Sequence, residues 1–411
     1  MTAIIKFLCR LIPAVTFIFS GFVKAVDPTG GSVKFHDYFV AFNMDWLIPI
    51  AMPLAILLAI IEFILGTYLL LGLSLRKVIP AVLGFMSFFT VLTLYIAIYN
   101  PVTDCGCFGD ALKITNWQTF WKNVIVLIFT LGAWFFRKEY RAPGTTLRRI
   151  ATSLSLVIYI SSVVWYSLAN LPIFDFRPLK PGAHVESLIS IPEGAEMPEF
   201  ETIFILEKDG QRETFTVENY PYDDTTWVFI DSETRIIKEG YVPPLEALAF
   251  IDDEMGDITH DIIYHPEAVF LLISPDLTQM ASKSIEPLSE LAKAASEQFV
   301  PFYCVTASDS QVSARFEREY HTGFHFLSTD AITLKTMIRS NPGLIMIYDG
   351  VVIAKWHYNN LPEAEIMKNP LSYALTEKNQ KRDNLVLWVH IFTLILIPVV
   401  FLTSRTINNR K

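Results

Sequence analysis

The chain has 411 residues, 52% of them hydrophobic and only 18% charged, with 31 Phe, 16 Tyr and 8 Trp. A soluble globular protein carries nearer a quarter charged residues, so this balance points to membrane-spanning segments. The formal net charge of -9 argues against a nucleic-acid partner, which needs a basic footprint, and four cysteines in so long a chain do not make a disulfide-stapled scaffold.

A spanning helix needs about 20 mostly apolar residues. Six stretches qualify: Ile4–Val23, Leu47–Leu73, Val78–Tyr99, Phe120–Phe136, Ile150–Leu168 and Leu385–Leu402. The first has basic flanks but no small-residue cleavage site, so it reads as a retained helix and not a cleaved signal peptide. At its end, Ser20-Gly21 is a small pair that lets another helix approach closely. Lys24 and Asp27, three apart, can pair, and Pro28 with Gly30-Gly31 is expected to stop the helix. Trp117 and Trp121 open the fourth, shortest stretch as interfacial anchors.

The basic residues near helix ends set the orientation. Lys6 and Arg10, then Arg76 and Lys77, then Arg137, Lys138, Arg141, Arg148 and Arg149, and finally Arg405, Arg410 and Lys411 all fall on one side if six helices alternate. That side is expected to be cytoplasmic. The opposite side then receives the segment Lys24–Trp46, a loop from Asn100 to Asp110, and the long polar region Pro172–Arg382.

The polar region divides again. Short alternating runs at Thr202–Leu206, Thr214–Val217 and Thr226–Ile230, with a turn at Lys208-Asp209-Gly210, predict a strand-rich part ended by Pro243-Pro244. Beyond it, Ala268–Ser274, Phe299–Thr306, Gly343–Tyr348 and Val351–Trp356 predict strands, the last two joined at Asp349-Gly350. Ser284–Gln298 and Thr329–Arg339 predict helices between them, giving an α/β domain. Pro342, just before a strand, is a place for a cis bond. Cys304 and Cys9 read as small buried hydrophobes. His321 and His325 have metal-ligand-like spacing but no third ligand, and read as surface loop residues.

Two features carry possible chemistry. Cys105 and Cys107 sit one residue apart in the loop, where Gly106 and Gly109 let the backbone turn sharply. On an oxidising face this pair can cycle between dithiol and disulfide, form a fixed structural bridge, or stay reduced. A metal site would need two further ligands; Asp104 and Asp110 are close, but no histidine is. Glu62 lies mid-way along the second apolar stretch, and an ionised carboxylate at the bilayer centre costs at least ~2.5 kcal/mol, so such residues face the bundle interior and often mark function. It is a candidate proton acceptor for thiol or quinone redox chemistry; the alternative is a protonated Glu tying two helices together.

Three motifs resemble a known family in the order Phe19-Ser20-Gly21-Phe22-Val23-Lys24-Ala25-Val26-Asp27-Pro28, Glu62-Phe63-Ile64-Leu65-Gly66 and Asp104-Cys105-Gly106-Cys107-Phe108-Gly109-Asp110. They resemble DoxX-like membrane proteins and, more closely, the branch related to the methylamine-utilisation protein MauE. That resemblance implies a four-helix unit over roughly Met1 to Tyr140 and a role in maturing a periplasmic, disulfide-rich partner, with Cys105 and Cys107 in thiol–disulfide traffic. The stretch from Pro244 to Pro362 is similar to a thioredoxin-like domain, Pro342 standing where that family has its cis-proline. The family's Cys-x-x-Cys is missing: Ile273-Ser274-Pro275-Asp276-Leu277-Thr278-Gln279 follows the first strand. The fusion of the two units resembles membrane proteins of Bacteroidota.

The expected fold class is therefore an α-helical membrane bundle of six transmembrane helices plus a periplasmic α/β thioredoxin-like domain with a preceding β-rich segment. The expected divisions are 1–140 (four-helix membrane domain), 141–171 (fifth helix), 172–243 (β-rich segment), 244–382 (thioredoxin-like domain lacking Cys-x-x-Cys) and 383–411 (sixth helix and cytoplasmic tail). The leading expectation is an inner-membrane accessory to thiol–disulfide chemistry, embedded in the lipid bilayer, with a periplasmic protein partner and quinone as a conceivable electron acceptor. The competing one is a non-catalytic scaffold with a structural Cys105–Cys107 pair. A small-molecule carrier is disfavoured by the absence of inverted repeats.

Overall fold

A computed structural model of the protein describes residues 2–102, 104–140, 146–238 and 240–377. Its N-terminal region is helical: α1 (Thr2–Val26), α2 (Pro28–Ala41), α3 (Ala51–Leu71), α4 (Leu75–Tyr99), α5 (Asn116–Phe136) and α6 (Thr146–Ala169). All but α2 contribute a span long and apolar enough to cross a membrane, namely Ile4–Val26, Asp45–Leu71, Leu75–Tyr99, Asn116–Phe136 and Arg149–Ala169. These helices are apolar all round, as lipid requires: Phe88, Val91, Ile128, Phe135 and Trp165 point outward and Phe17, Ile79, Val82 and Val126 inward. The protein is a multi-pass membrane protein. The expected sixth span, Leu385–Leu402, lies outside the described residues.

Lipid offers no hydrophobic drive between helices, so close packing holds them. Gly21 of α1 lies against the backbone of α3, where a Cβ would come within 2.4 Å of the Phe63 nitrogen. Gly66 of α3 does the same to α1, at 2.6 Å from the Ile18 nitrogen. The small-residue expectation at Ser20-Gly21 thus holds. The expected helix stop holds, since α1 ends at Val26, but only Asp27 intervenes before a second helix, α2, begins at Pro28. Proline is tolerated at a first helical position, where its missing N–H would have no partner anyway, and Asp27 caps α2 by accepting from the Gly30 nitrogen at 2.8 Å. Between α4 and α5, Asn123 donates to Thr93 Oγ1 at 3.1 Å, a buried polar tie. A capping box of Thr115 and Gln118 starts α5.

After α6 come a short helix α7 (Glu186–Ile189) and a three-stranded antiparallel sheet, β1 (Glu199–Lys208), β2 (Gln211–Thr216) and β3 (Val228–Lys238), in the order β2-β1-β3. Asp209 and Gly210 turn the first hairpin, both at positive φ (51° and 77°). There follow β4 (Ile251–Asp252), β5 (Gly256–Asp257), α8 (Thr259–Ile263), β6 (Val269–Ser274), α9 (Ile285–Glu297), β7 (Phe302–Thr306), α10 (Ser310–Tyr320), β8 (His325–Ser328), α11 (Ala331–Met337), β9 (Gly343–Tyr348) and β10 (Val351–His357). Seven of these strands form one sheet in the order β10-β9-β6-β7-β8-β4-β5. β6, β7 and β8 run parallel, while β9 and β10 are antiparallel.

β6 is buried along its whole length and reads as a continuous apolar run because both faces are covered. Val269, Leu271 and Ile273 enter one core with Phe250, Val305 and Ile345. Phe270 and Leu272 enter the other, with Leu288, Leu291, Cys304 and Trp356. Asn341-Pro342 is cis and ends the loop before β9. That loop, Ile338–Pro342, faces the membrane region.

Candidate functional site: a dithiol loop held by the first two helices

The loop between α4 and α5 carries Cys105 and Cys107 with their sulfurs 2.9 Å apart, both thiols free. Gly106 (φ 63°) and Gly109 (φ 53°) take the left-handed backbone that lets two side chains one residue apart meet. Gly106 is also needed for space: a Cβ there would lie 2.7 Å from Lys34 Cγ.

The N-terminal helices pin this loop by its carbonyls. Ser20 Oγ and Lys24 Nζ both donate to the Cys107 carbonyl, at 2.7 and 2.8 Å. Tyr38 of α2 donates to the Cys105 carbonyl at 2.7 Å, and burial holds its phenol protonated, well above its ordinary range. Lys34 pairs with Asp104 at 2.9 Å, and the other oxygen of Asp104 accepts from the Gly106 nitrogen.

Glu62 joins the same network. Its Oε2 accepts from Lys24 Nζ at 2.8 Å, with both side chains mostly buried (7% and 11% exposed). The expected Lys24–Asp27 pairing therefore does not form: Lys24 turns into the bundle, because α3 crosses α1 at Gly21 and brings Glu62 beside it. Glu62, one of the sequence candidates, is separated from the Cys107 carbonyl by a single ammonium group.

The two thiols are not equivalent. The hydrogen bond between the two sulfurs, with Lys122 and Lys24 nearby, lowers Cys107 to about 6, against burial and the charge of Glu62. Cys105 moves well up from the ordinary range, first because its proton is held by Cys107 and then by burial. Cys105 is buried and Cys107 partly exposed. A thiolate at Cys107 beside a protonated Cys105 is the arrangement of an attacking and a resolving thiol.

Over the loop stands Arg339, from the segment before β9. Its Nε donates to both oxygens of Asp27 (3.2 and 3.0 Å) and its Nη2 to Asp110 (3.2 Å). Gly30 makes room for it, since a Cβ there would lie 2.4 Å from Asp27 Oδ2 and 3.0 Å from Arg339 Nη2. Behind it, Asp175 pairs with Arg177 (2.9 Å) and Lys355 (2.8 Å) in the interior. Burial and the nearby Arg177 push Lys355 down to about 7. Arg339, Tyr38 and Lys122 escape sequence reading, since nothing local links them to the cysteines. Lys24 was legible as a charge at a helix end, but its partner was not. His325 pairs with Asp252 and does not join His321, which caps the C-terminus of α10; among the described residues no group of three or more His, Cys, Asp or Glu side chains is placed to hold a metal.

Fold and site thus define a multi-pass membrane protein with a sheet domain, carrying a paired-cysteine loop at one end of its bundle. Residues 2–136 match the family model described as "Methylamine utilisation protein MauE", which spans the first five helices, the loop and Glu62. Residues 200–239, covering the three-stranded sheet, match a "Domain of unknown function (DUF8463)". No curated protein and no solved structure matches the chain.

Proposed function

We propose that the protein is an inner-membrane thiol–disulfide redox accessory that serves the maturation of a periplasmic partner; the match of residues 2–136 to the methylamine-utilisation family model supports the membrane and maturation parts of this reading. Cys107 exchanges with the partner, Cys105 completes the pair, Lys24 holds the loop, and Glu62 accepts a proton when the reduced pair is re-oxidised. The observation that carries this reading is the direct contact of the two sulfurs, 2.9 Å apart, in a loop fixed by its backbone carbonyls. In exchange, a partner thiolate attacks the Cys107 sulfur of the Cys105–Cys107 disulfide and displaces Cys105, and a second partner thiolate attacks the mixed disulfide, leaving a partner disulfide and the reduced pair, which then passes its two electrons to an acceptor.

In this reading six helices span the membrane, both termini are cytoplasmic, and the loop and sheet domain face the periplasm, as the charge placement suggests. The sheet domain is a thioredoxin-like unit. Its supports are the core order β10-β9-β6-β7, with β6 and β7 parallel and β9 and β10 antiparallel, and the position of Pro342 before β9. Having no Cys-x-x-Cys, it covers the membrane dithiol and presents partners to it.

Thiol trapping in intact cells tests the redox role. A mixture of oxidised and reduced Cys105/Cys107 that shifts with electron-acceptor supply is expected. A pair that is wholly oxidised under every condition favours the second reading, a non-catalytic scaffold, for which the burial of Cys105 and the Arg339 clamp speak.

A further inference from the structure

An open groove of about 520 Å³ runs between α1 and α5 on the outer surface of the bundle. Its walls include Ile12, Trp117, Trp121 and Ile125, and its polar groups include Gln118 and Lys122. Trp117, Trp121 and Ile125 are each at least half exposed, so the groove opens sideways, where lipid would lie, and not into the sheet domain. Its size falls in the usual range for small-molecule sites, about 300–1,000 Å³.

The groove is tied to the dithiol through Lys122. That ammonium lines the groove and also sits 4.3 Å from the centre of the Phe108 ring, next in sequence to Cys107. Its charge acts on both sulfurs. Gln118 uses its carbonyl oxygen in the capping box, accepting from the Thr115 nitrogen at 3.0 Å, which leaves its amide nitrogen to donate. A ligand suited to this place is flat enough to lie against two indoles, carries carbonyl oxygens for the amide and the ammonium, and has an apolar tail for Ile12 and Ile125.

We propose that the groove between α1 and α5 binds a membrane-soluble quinone, its ring at Trp117 and Trp121 and its oxygens toward Gln118 and Lys122, as the electron acceptor for Cys105 and Cys107. The step balances. As the S–S bond forms, the Cys107 thiolate and the Cys105 thiol give up two electrons and one proton, and the quinone takes both electrons, that proton and a second from water at the membrane surface to become the hydroquinone. Lys122 stabilises negative charge at both ends of the transfer, on the sulfur before it and on the reduced ring oxygen after it. This inference rests on the dithiol reading above.

The test uses the full chain in lipid nanodiscs with decyl-ubiquinone. In a Cys105→Ser/Cys107→Ser variant, where no electrons can flow, the quinone should quench tryptophan fluorescence saturably, and Trp117→Phe/Trp121→Phe should remove that component. With both cysteines present and reduced, decyl-ubiquinone should consume the alkylatable thiols. Ile125→Trp, which fills the groove from the lipid side, should slow this about tenfold or more while leaving oxidation by the water-soluble reagent diamide unchanged. If Ile125→Trp also slows diamide, Trp121→Leu serves instead, raising the quinone concentration for half-maximal rate about tenfold. Equal quinone rates in wild type and groove variants, or absence of saturable quenching, overturn the proposal. Failure of diamide to join Cys105 and Cys107, with quenching intact, sinks the dithiol reading and leaves the binding site standing.

Discussion

Replacing Lys24 by methionine removes the cation that pairs with Glu62 and keeps most of the side-chain volume. Lys24 Nζ donates to Glu62 at 2.8 Å, Ser20 at 2.7 Å and the Cys107 carbonyl at 2.8 Å. Taking one partner out of a buried ion pair costs about 3–5 kcal/mol, because the remaining charge is left uncompensated. Removing both charges in Lys24→Met/Glu62→Leu leaves only the serine and the carbonyl short of a donor, a loss of about 1–3 kcal/mol. The double variant should therefore be more stable than the single one by about 2 kcal/mol. Unfolding free energies in detergent micelles, followed by tryptophan fluorescence, give both numbers, and iodoacetamide alkylation reports whether the loop has loosened. A single variant within about 1 kcal/mol of wild type would refute the buried pair as a support of the loop. So would a double variant no better than the single.

Alkylation of Cys107 should rise with pH around a midpoint near about 6, where an ordinary thiol waits for ~8.5, and Lys122→Gln should move that midpoint upward. Because the folded value is the lower one, this thiolate stabilises the fold fully above the unfolded thiol's value, and the contribution fades as pH falls through about 6. Gly21→Ala must push α1 from α3 and should cost about 1–3 kcal/mol, whereas Gly84→Ala in α4, with nothing within 4 Å, should be neutral or stabilise by up to about 1 kcal/mol. Thermal melts in detergent compare the two. Arg339→Gln breaks the contacts to Asp27 and Asp110 and should speed alkylation of Cys107 severalfold at fixed pH. An unchanged rate would mean that the sheet domain does not shield the loop.

The five spans among the described residues were the most legible part of the fold, because a helix in lipid is apolar on every side and its length is set by the bilayer. Boundaries set by local backbone chemistry were less so. Pro28 and Gly30-Gly31 look like a stop in sequence, yet proline at a first turn and an aspartate cap start a new helix there just as well. The strands β6 and β9 were readable as apolar runs, while β4 and β5, two residues each, have no pattern to read. Cys105, Cys107 and Glu62 stood out individually, since each is unusual where it sits. Their joining through Lys24 was not legible, because Lys24 had a nearer acid in sequence, and only the crossing at Gly21 and Gly66 decides between them. Arg339 lies 312 residues from Asp27, and no local signal spans that distance.

The clamp of Arg339 on the loop has a consequence in time. Arg339 is 229 residues beyond Asp110, and at about 5–20 residues per second a ribosome needs roughly 10–45 s to make that stretch. The first four helices and the dithiol loop exist throughout that interval, while Arg339 does not. Every newly made copy thus passes through a stage with its cysteine pair bare, open to whatever oxidant, thiol or folding helper is at hand. In the redox reading proposed above, that interval is when the pair first meets an oxidant or a thiol, before Arg339 reaches Asp27 and Asp110.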